Sequence, residues 1–331
     1  MRCHVRMSRP WRMNRKIKRP ARAGHHTFVS MTRSAPRSVH KNDMCGAFSA
    51  PIPKSDGREV RRGVSLDDAA GLRRRETQRC QTVTQLVLGL DVGGSSVKAG
   101  AVDLAGGRLV GELISAPTPM TSDPMHLTEV LKQLARRLPQ AKGGVGVAFP
   151  SVVKNGRIRT AANINSAWIG TDGARLVTEA LGRPTTFLND ADAAGVAEMR
   201  WGAGQGVQGP VVMLTLGTGI GTALFIEGRL FPNTELGHLE LPGGDAEKWA
   251  SAHVRTTLKL DWPAWSARLN DYLERLDSFL WPDLIILGGA VSEHFPEFAP
   301  LLHVEAEIRA ARFSGEAGVV GAAFAAAERN G

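Results

Sequence analysis

Beyond residue 82 the apolar positions follow two rhythms, short branched runs and 3.6-residue spacing, and the glycines punctuate both. Residues 83–90 (Val-Thr-Gln-Leu-Val-Leu-Gly-Leu) form an apolar run that predicts a buried strand. It enters a glycine turn, Asp91-Val-Gly-Gly-Ser-Ser-Val-Lys98. A second strand is expected over 97–102. After Gly106 and Gly107 a third is expected over 108–115, so the three should make an antiparallel meander. Leu127, Val130, Leu131 and Leu134 share one face of a helix predicted over 125–138. Residues 145–149 predict a short buried strand stopped by Pro150. Asp172 is a candidate cap for a helix through Leu181, ended by Gly182 and Pro184. A strand over 185–188 and a helix over 190–201 follow.

The second half repeats the theme. Residues 211–216 predict a strand, Gly217-Thr-Gly-Ile-Gly221 a glycine turn, and 222–226 a returning strand with its own turn at Gly228. Residues 283–289 read as a strand entering a third glycine turn, and 316–328 as a closing helix. Two strand–glycine turn–strand units about 125 residues apart, each followed by helices, predict a duplicated α/β architecture with a cleft between its halves.

Charge divides the chain at the same place. The 331 residues carry 41 Lys and Arg against 32 Asp and Glu, a net of +9. Residues 1–81 hold 20 of the basic and 6 of the acidic residues, so the remainder is −5. All three cysteines, Cys3, Cys45 and Cys80, lie in the basic segment, which excludes a disulfide framework or a cysteine-ligated zinc for the body. The segment lacks the apolar run of a secretory signal. Three readings remain open for it: a disordered tail from a start codon placed too far upstream (Met31 and Met44 are alternatives), a transit peptide, or a polyanion tether. With 43% apolar residues the chain is not wholly disordered, and no apolar run is long enough for a membrane-spanning helix.

The glycine turns carry the candidate chemistry. Glycine lets the backbone approach phosphate oxygens and aim successive N–H groups at them. Asp91, at the end of the first strand, would place a carboxylate near Mg²⁺, which takes one or two carboxylates with phosphate oxygens. Thr218 and Thr222 would add hydroxyl donors at the second turn. Neither turn has dinucleotide-fingerprint spacing, and no GxxxxGK[ST] loop occurs.

Several motifs in fixed order resemble the ROK family of sugar kinases: Asp91-Val-Gly-Gly, Leu188-Asn-Asp-Ala191, Leu216-Gly-Thr-Gly-Ile-Gly221, Glu235-Leu-Gly-His238 and Leu287-Gly-Gly289. Arg159-Thr-Ala-Ala-Asn-Ile-Asn165 and Asn189-Asp-Ala-Asp-Ala-Ala-Gly195 are most similar to its polyphosphate-using glucokinase subgroup. The resemblance covers residues 84–327. It implies the actin-like ATPase (ribonuclease H-like) fold, with two α/β domains around a cleft, 82–190 with 316–331 and 191–315. A cytoplasmic homodimer is also implied, as is phosphoryl transfer from inorganic polyphosphate, and ATP, to O6 of glucose or mannose with Mg²⁺.

By the same resemblance Asp190 is the catalytic base, although an N-cap is the ordinary role of such a residue, and an unperturbed aspartate, at ~3.9, is a weak base near neutrality. Asn163, Asn189, Glu235, His238 and Glu247 would bind the sugar. Gly93, Gly94, Ser95, Ser96 and Lys98, with Thr215, Gly217, Thr218, Gly219 and Gly221, would hold phosphate. Gly288 and Gly289 would form a nucleotide-side loop, and Asp91 would bind Mg²⁺. Trp168 would either wall the sugar or pack in the core. Lys98, Lys154, Arg157 and Arg159 could form a polyphosphate track, or simply a solvated face.

One departure stands out. Many family members carry a cysteine-rich zinc motif after the Glu-x-Gly-His segment, whereas residues 241–251 here contain no cysteine. Zinc is therefore not expected, and His238 should be free to contact sugar. An ATP-only glucokinase or a kinase for another hexose or hexosamine is the alternative enzyme. A sugar-responsive repressor is the non-enzyme alternative, but Pro10, Pro20, Pro36, Pro51 and Pro53 break the segment where its DNA-binding helices would lie, so neither nucleic acid nor membrane is an expected partner.

Overall fold

The structure, a computed structural model, describes residues 86–330. The basic segment and the start of the strand expected at 83–90 lie outside the described residues.

The first half builds one sheet from β1 (Val87–Val92), β2 (Ser96–Asp103), β3 (Arg108–Leu109), β4 (Ile114–Pro117), β5 (Val145–Phe149) and, after a small hairpin of β6 (Val153–Lys154) and β7 (Arg157–Ile158), β8 (Thr185–Asn189). Its order is β3-β2-β1-β5-β8, with β4 also on β2; β1 pairs antiparallel with β2 and parallel with β5. The third strand of the expected meander is interrupted. Leu109 faces Val102 while Ile114 faces Ala99, so four residues on one side oppose two on β2. The excursion lets Leu109 and Leu113 turn toward a separate apolar cluster.

Helix α1 (Pro124–Arg136) begins where Asp123 accepts the N–H groups of Met125 and His126, and it buries Leu127, Leu131 and Leu134. Helix α2 (Gly173–Leu181) is capped by Asp172 and ends at left-handed Gly182, as its sequence predicts. Helix α3 (Asp190–Trp201) follows β8 without a break.

The second sheet repeats the plan. β9 (Val211–Leu216), β10 (Ile220–Ile226) and β11 (Arg229–Phe231) form the antiparallel part. After the β12 (Glu240–Leu241) and β13 (Gly244–Asp245) hairpin and helices α4 (Ala246–Ala250), α5 (Ala252–Thr257) and α6 (Trp262–Leu280), the parallel strands β14 (Leu284–Gly288) and β15 (Glu307–Ala310) complete it. The short α7 (Phe295–Phe298) lies between β14 and β15. The order, β11-β10-β9-β14-β15, matches that of the first sheet. The sequence expectations include no element over 246–280. Yet Trp265, Leu269, Tyr272, Leu273 and Leu276 give α6 an apolar face at helical spacing.

Helix α8 (Ala317–Asn330) closes the chain and packs on both β1 of the first sheet and α3. The α3–α8 contact is made of small residues: Ala193 and Ala197 against Gly321, Ala322 and Ala323. A methyl group at Gly321 would run into the Ala193 carbonyl. At the far end of α3, the fully buried Glu198 accepts the N–H groups of Ala203 (2.8 Å) and Phe313 (2.7 Å), fastening the helix to the approach of α8.

Gly321→Ala therefore sets two effects against each other. Helix propensity favours alanine by about 1 kcal/mol, and overpacking a backbone contact costs about 1–3 kcal/mol. The clash should win, lowering the urea midpoint; a midpoint equal to or above wild type would show that the two helices can move apart freely.

Candidate active site

Both glycine turns and the start of α3 face one cavity of about 460 Å³. The arrangement follows from topology, because the parallel strands β5 and β8 both end there and put loop residues at their carboxyl ends. Asp190 lies on the cavity wall at the first position of α3. It is not the cap: Asn189 takes that role, its Oδ1 accepting the Asp192 N–H at 3.0 Å. The Asp190 carboxylate accepts the N–H of its neighbour Ala191 at 2.9 Å. Burial raises its pKa to about 7; the charge of Asp91 adds to that, and backbone hydrogen bonds oppose it. The carboxylate thus has a proton affinity near neutrality, unlike an ordinary aspartate.

Polar groups of several kinds line the cavity. Asn163, Glu235, His238 and Glu247 all line it. His238 is less free than its sequence predicts. Its Nδ1 lies 3.2 Å from Asp245 and 3.9 Å from Glu247, and its Nε2 3.8 Å from Glu235. Asp245, absent from the sequence expectations, therefore orients the ring. Its signal in sequence is slight, a carboxylate seven residues after a histidine. His238, Asp245 and Glu247 offer ligand atoms within 4.8 Å of one another, so a metal could be held there without cysteine. Glu235 is raised by burial, with His238 lowering and Glu247 raising it.

Asn189 also lines the cavity, but its side chain is engaged in the fold: besides capping α3 it donates to the Ser151 carbonyl at 3.3 Å. Trp168 belongs to the core, fully buried with its ring 4.9 Å from Phe149 and its Nε1 donating to Ser122 O. Ser151 and Thr160, which sequence reasoning missed, form the wall between Pro150 and Asn163. Thr160 falls inside the 159–165 motif, while the only hint of Ser151 is its place just beyond the end of an apolar strand.

Gly93, Gly94 and Ser95 of the first turn line the same cavity, as do Thr215, Gly217, Thr218, Gly219 and Gly221 of the second, with Gly289; a side chain at Gly219 would strike the Glu247 carboxylate. Gly93 N–H donates to Ser96 O, while the N–H groups of Gly94 and Ser95 donate to no acceptor among the described residues. Such unpaired donors in sequence make an anion-binding concavity. Ser96, Lys98 and Gly288 do not line the cavity. The Lys98 ammonium donates to Gly315 O at 3.0 Å, and Arg157 donates to Gly170 O. Thr222 is not the phosphate donor its position predicts: its hydroxyl donates to Thr234 O at 2.7 Å.

Asp91, which does not line the cavity, is half-buried beside the first turn of α8, where a side chain at Gly318 would strike its carboxylate. Burial raises its pKa and Lys98 lowers it, and it accepts no hydrogen bond among the described residues. A carboxylate so placed, with room kept open by glycine, fits a divalent cation.

Two sheets of the same strand order, with two glycine turns and a half-buried aspartate on one cavity, suit an enzyme of phosphoryl transfer. The comparisons make this specific. The ROK family model matches residues 87–251. A polyphosphate glucokinase of Mycobacterium tuberculosis (strain CDC 1551 / Oshkosh) is 42% identical over 238 residues, which is 72% of this chain and 89% of that protein. The crystal structure of an inorganic polyphosphate/ATP-glucomannokinase from Arthrobacter sp. strain KM has a TM-score of 0.71 at 42% identity, covering 74% of this chain and 99% of that one. The ROK hexokinase from Thermus thermophilus has a TM-score of 0.60 at 27% identity, over 74% and 99% of the two chains. The chain belongs to the ROK family.

The raised pKa of Asp190 has a stability consequence. The folded protein binds that proton more tightly than the unfolded chain, so stability from this group is largest at low pH and is lost as pH rises toward and through about 7. Asp190→Asn should raise the melting temperature by about 3–6 °C at pH 8, at roughly 2–4 °C per kcal/mol, and by less at pH 5. Calorimetry at the two pH values checks it; a variant less stable at pH 8 contradicts the burial argument.

Proposed function

We propose that the protein transfers the terminal phosphoryl group of inorganic polyphosphate, and of ATP, to O6 of glucose, with mannose as a second acceptor. One observation carries the reading. The half-buried carboxylate of Asp190, its pKa raised to about 7, shares one cavity with Asn163, Glu235, His238 and Glu247 and with both glycine turns.

In this scheme Asn163, Glu235, His238 and Glu247 bind the sugar hydroxyls, carboxylates accepting and amide and imidazole donating. Asn189 acts on the base rather than on the sugar, because its hydrogen bonds fix the strand–helix junction that presents Asp190. Asp190 accepts a hydrogen bond from the 6-hydroxyl and takes its proton as the O6–P bond forms. The P–O bond to the shortened polyphosphate, or to ADP, breaks on the opposite side. In a loose transition state, orientation of the hydroxyl matters more than its early deprotonation. Backbone N–H groups of the two glycine turns hold the donor's oxygens, assisted by the Thr218 hydroxyl. Bound near Asp91, Mg²⁺ would neutralise charge on the transferring and leaving phosphates. The reading includes two lobes, 82–190 with 316–331 and 191–315, a homodimer, and a cytoplasmic location.

Asp190→Ala should lower kcat by about 10²–10⁴-fold with either donor. Near-normal rates in a folded Asp190→Ala protein would end the mechanism. For the wild type, kcat/KM should rise with pH and level off above about 7, following deprotonation of Asp190. A matrix of polyphosphate, ATP and other nucleotides against glucose, mannose and hexosamines tests the substrates, and activity with ATP alone would remove polyphosphate from the reading. A protein lacking residues 1–81 should keep its rates with both donors. Selective loss of polyphosphate activity would instead assign that segment to donor binding.

A further inference from the structure

The segment that carries Glu235 is fastened on three sides by groups that have no part in the chemistry above. Asn233 has a left-handed backbone, φ 60°. Its side chain engages both backbone groups of one residue in the β6–β7 hairpin: Oδ1 accepts the Val153 N–H at 2.8 Å, and Nδ2 donates to Val153 O at 3.0 Å. The amide thus pairs with the hairpin as a neighbouring strand would. The backbone N–H of Asn233 points elsewhere and donates to Asp192 Oδ2 at 2.8 Å, on α3 two residues beyond Asp190. Thr234 then exchanges two hydrogen bonds with Thr222 of β10, and the Leu236 N–H donates to the Thr222 hydroxyl at 3.1 Å. Glu235 lies between these anchors.

Asp192 is an expensive way to make one of these ties. It is 1% exposed, and its Oδ1 is buried with no partner. Its single hydrogen bond offsets little of the cost of burying a carboxyl group. That burial raises its pKa to about 7, and the neighbouring charges of Asp190 and Glu235 add to the effect. Packing alone would be better served by an apolar side chain. What such a side chain cannot do is accept the Asn233 N–H and so tie the Glu235 segment to the helix bearing Asp190.

We propose that Asp192 and Asn233 are positioning residues that hold Glu235 in register with Asp190 across the cavity, so that breaking the tie weakens acceptor binding and leaves donor binding intact. The inference rests on the sugar-kinase reading of the cavity. Asp192→Ala removes the acceptor, while Asp192→Asn keeps a carbonyl oxygen in its place. Asn233→Gly keeps the left-handed backbone and the N–H but loses both bonds to Val153.

The measurements are KM for glucose and for the phosphoryl donor, together with amide hydrogen exchange over residues 233–236, which needs no substrate. Asp192→Ala and Asn233→Gly should each raise the glucose KM about tenfold or more, change the donor KM less than about twofold, and speed exchange in that segment about tenfold. Asp192→Asn should stay within about threefold of wild type on all three. An unchanged glucose KM, equal rises in both KM values, or an asparagine variant as impaired as the alanine one would overturn the proposal. If Asp192→Ala does not fold, Asn233→Gly and Asp192→Asn decide it by the same criteria. Wild-type protein inactive on every sugar would instead remove the reading of the site, and unprotected wild-type amides at 233–236 would remove the tether itself.

Discussion

The close crossing of α3 and α8 is the contact on which the rest depends. Alanine and glycine bring the two backbones together, with Gly321 against the Ala193 carbonyl. At one end of the crossing α3 presents Asp190. Beside the start of α8 lies Asp91, over Gly318. The separation of Asp190 and Asp91 is therefore set by packed main chain rather than by long side chains. Glu198 clamps the other end, so the pair behaves as one rigid part onto which both sheets are built. Small residues lose little side-chain entropy on burial, which suits them to a contact whose purpose is spacing.

That spacing creates the electrostatics of the site. Asp91, Asp190, Asp192 and Glu235 all lie near one another, and burial raises the pKa of each. No arginine or lysine lines the cavity. Crowded carboxylates oppose one another's ionisation; Lys98 and His238 relieve Asp91 and Glu235 only in part, so the cluster destabilises the folded state at neutral pH. Sites of this kind trade stability for function. Asn189 contains part of the cost, because by capping α3 it leaves Asp190 free of that duty.

Much of the fold was legible because its signals are local. The hairpins betray themselves by glycine between apolar runs, and α2 by Asp172 at one end and Gly182 at the other. The repeat of strand and glycine turn pointed to two similar halves before their common strand order was visible. Long-range choices were not legible. The interruption between β3 and β4 depends on where Leu109 and Leu113 find apolar partners. Trp168 is settled by the space beside Phe149. In the site, Asp190, Glu235 and Glu247 were readable from motif order, whereas the partners that orient them were not. Asp245 turns His238 through a pairing no spacing rule announces, and the Thr222 hydroxyl is taken by a residue on the next loop. Helix α6 is a different omission, since its period is plain in the sequence.

The charge asymmetry of the chain bears on how a polyanion would be held. The residues after 81 sum to −5, and the nearest lysine on the first hairpin is bonded to a carbonyl instead of facing the cavity. Among the described residues, attraction for phosphate would then come from backbone dipoles at contact distance and from a cation at Asp91 rather than from a broad positive surface. Dissolved salt screens charges separated by more than about 8–10 Å, and contacts as short as these lie well inside that length. A polyanion held in this way would keep an affinity that ionic strength changes little, unlike one gathered on a lysine-rich face and lost as salt rises.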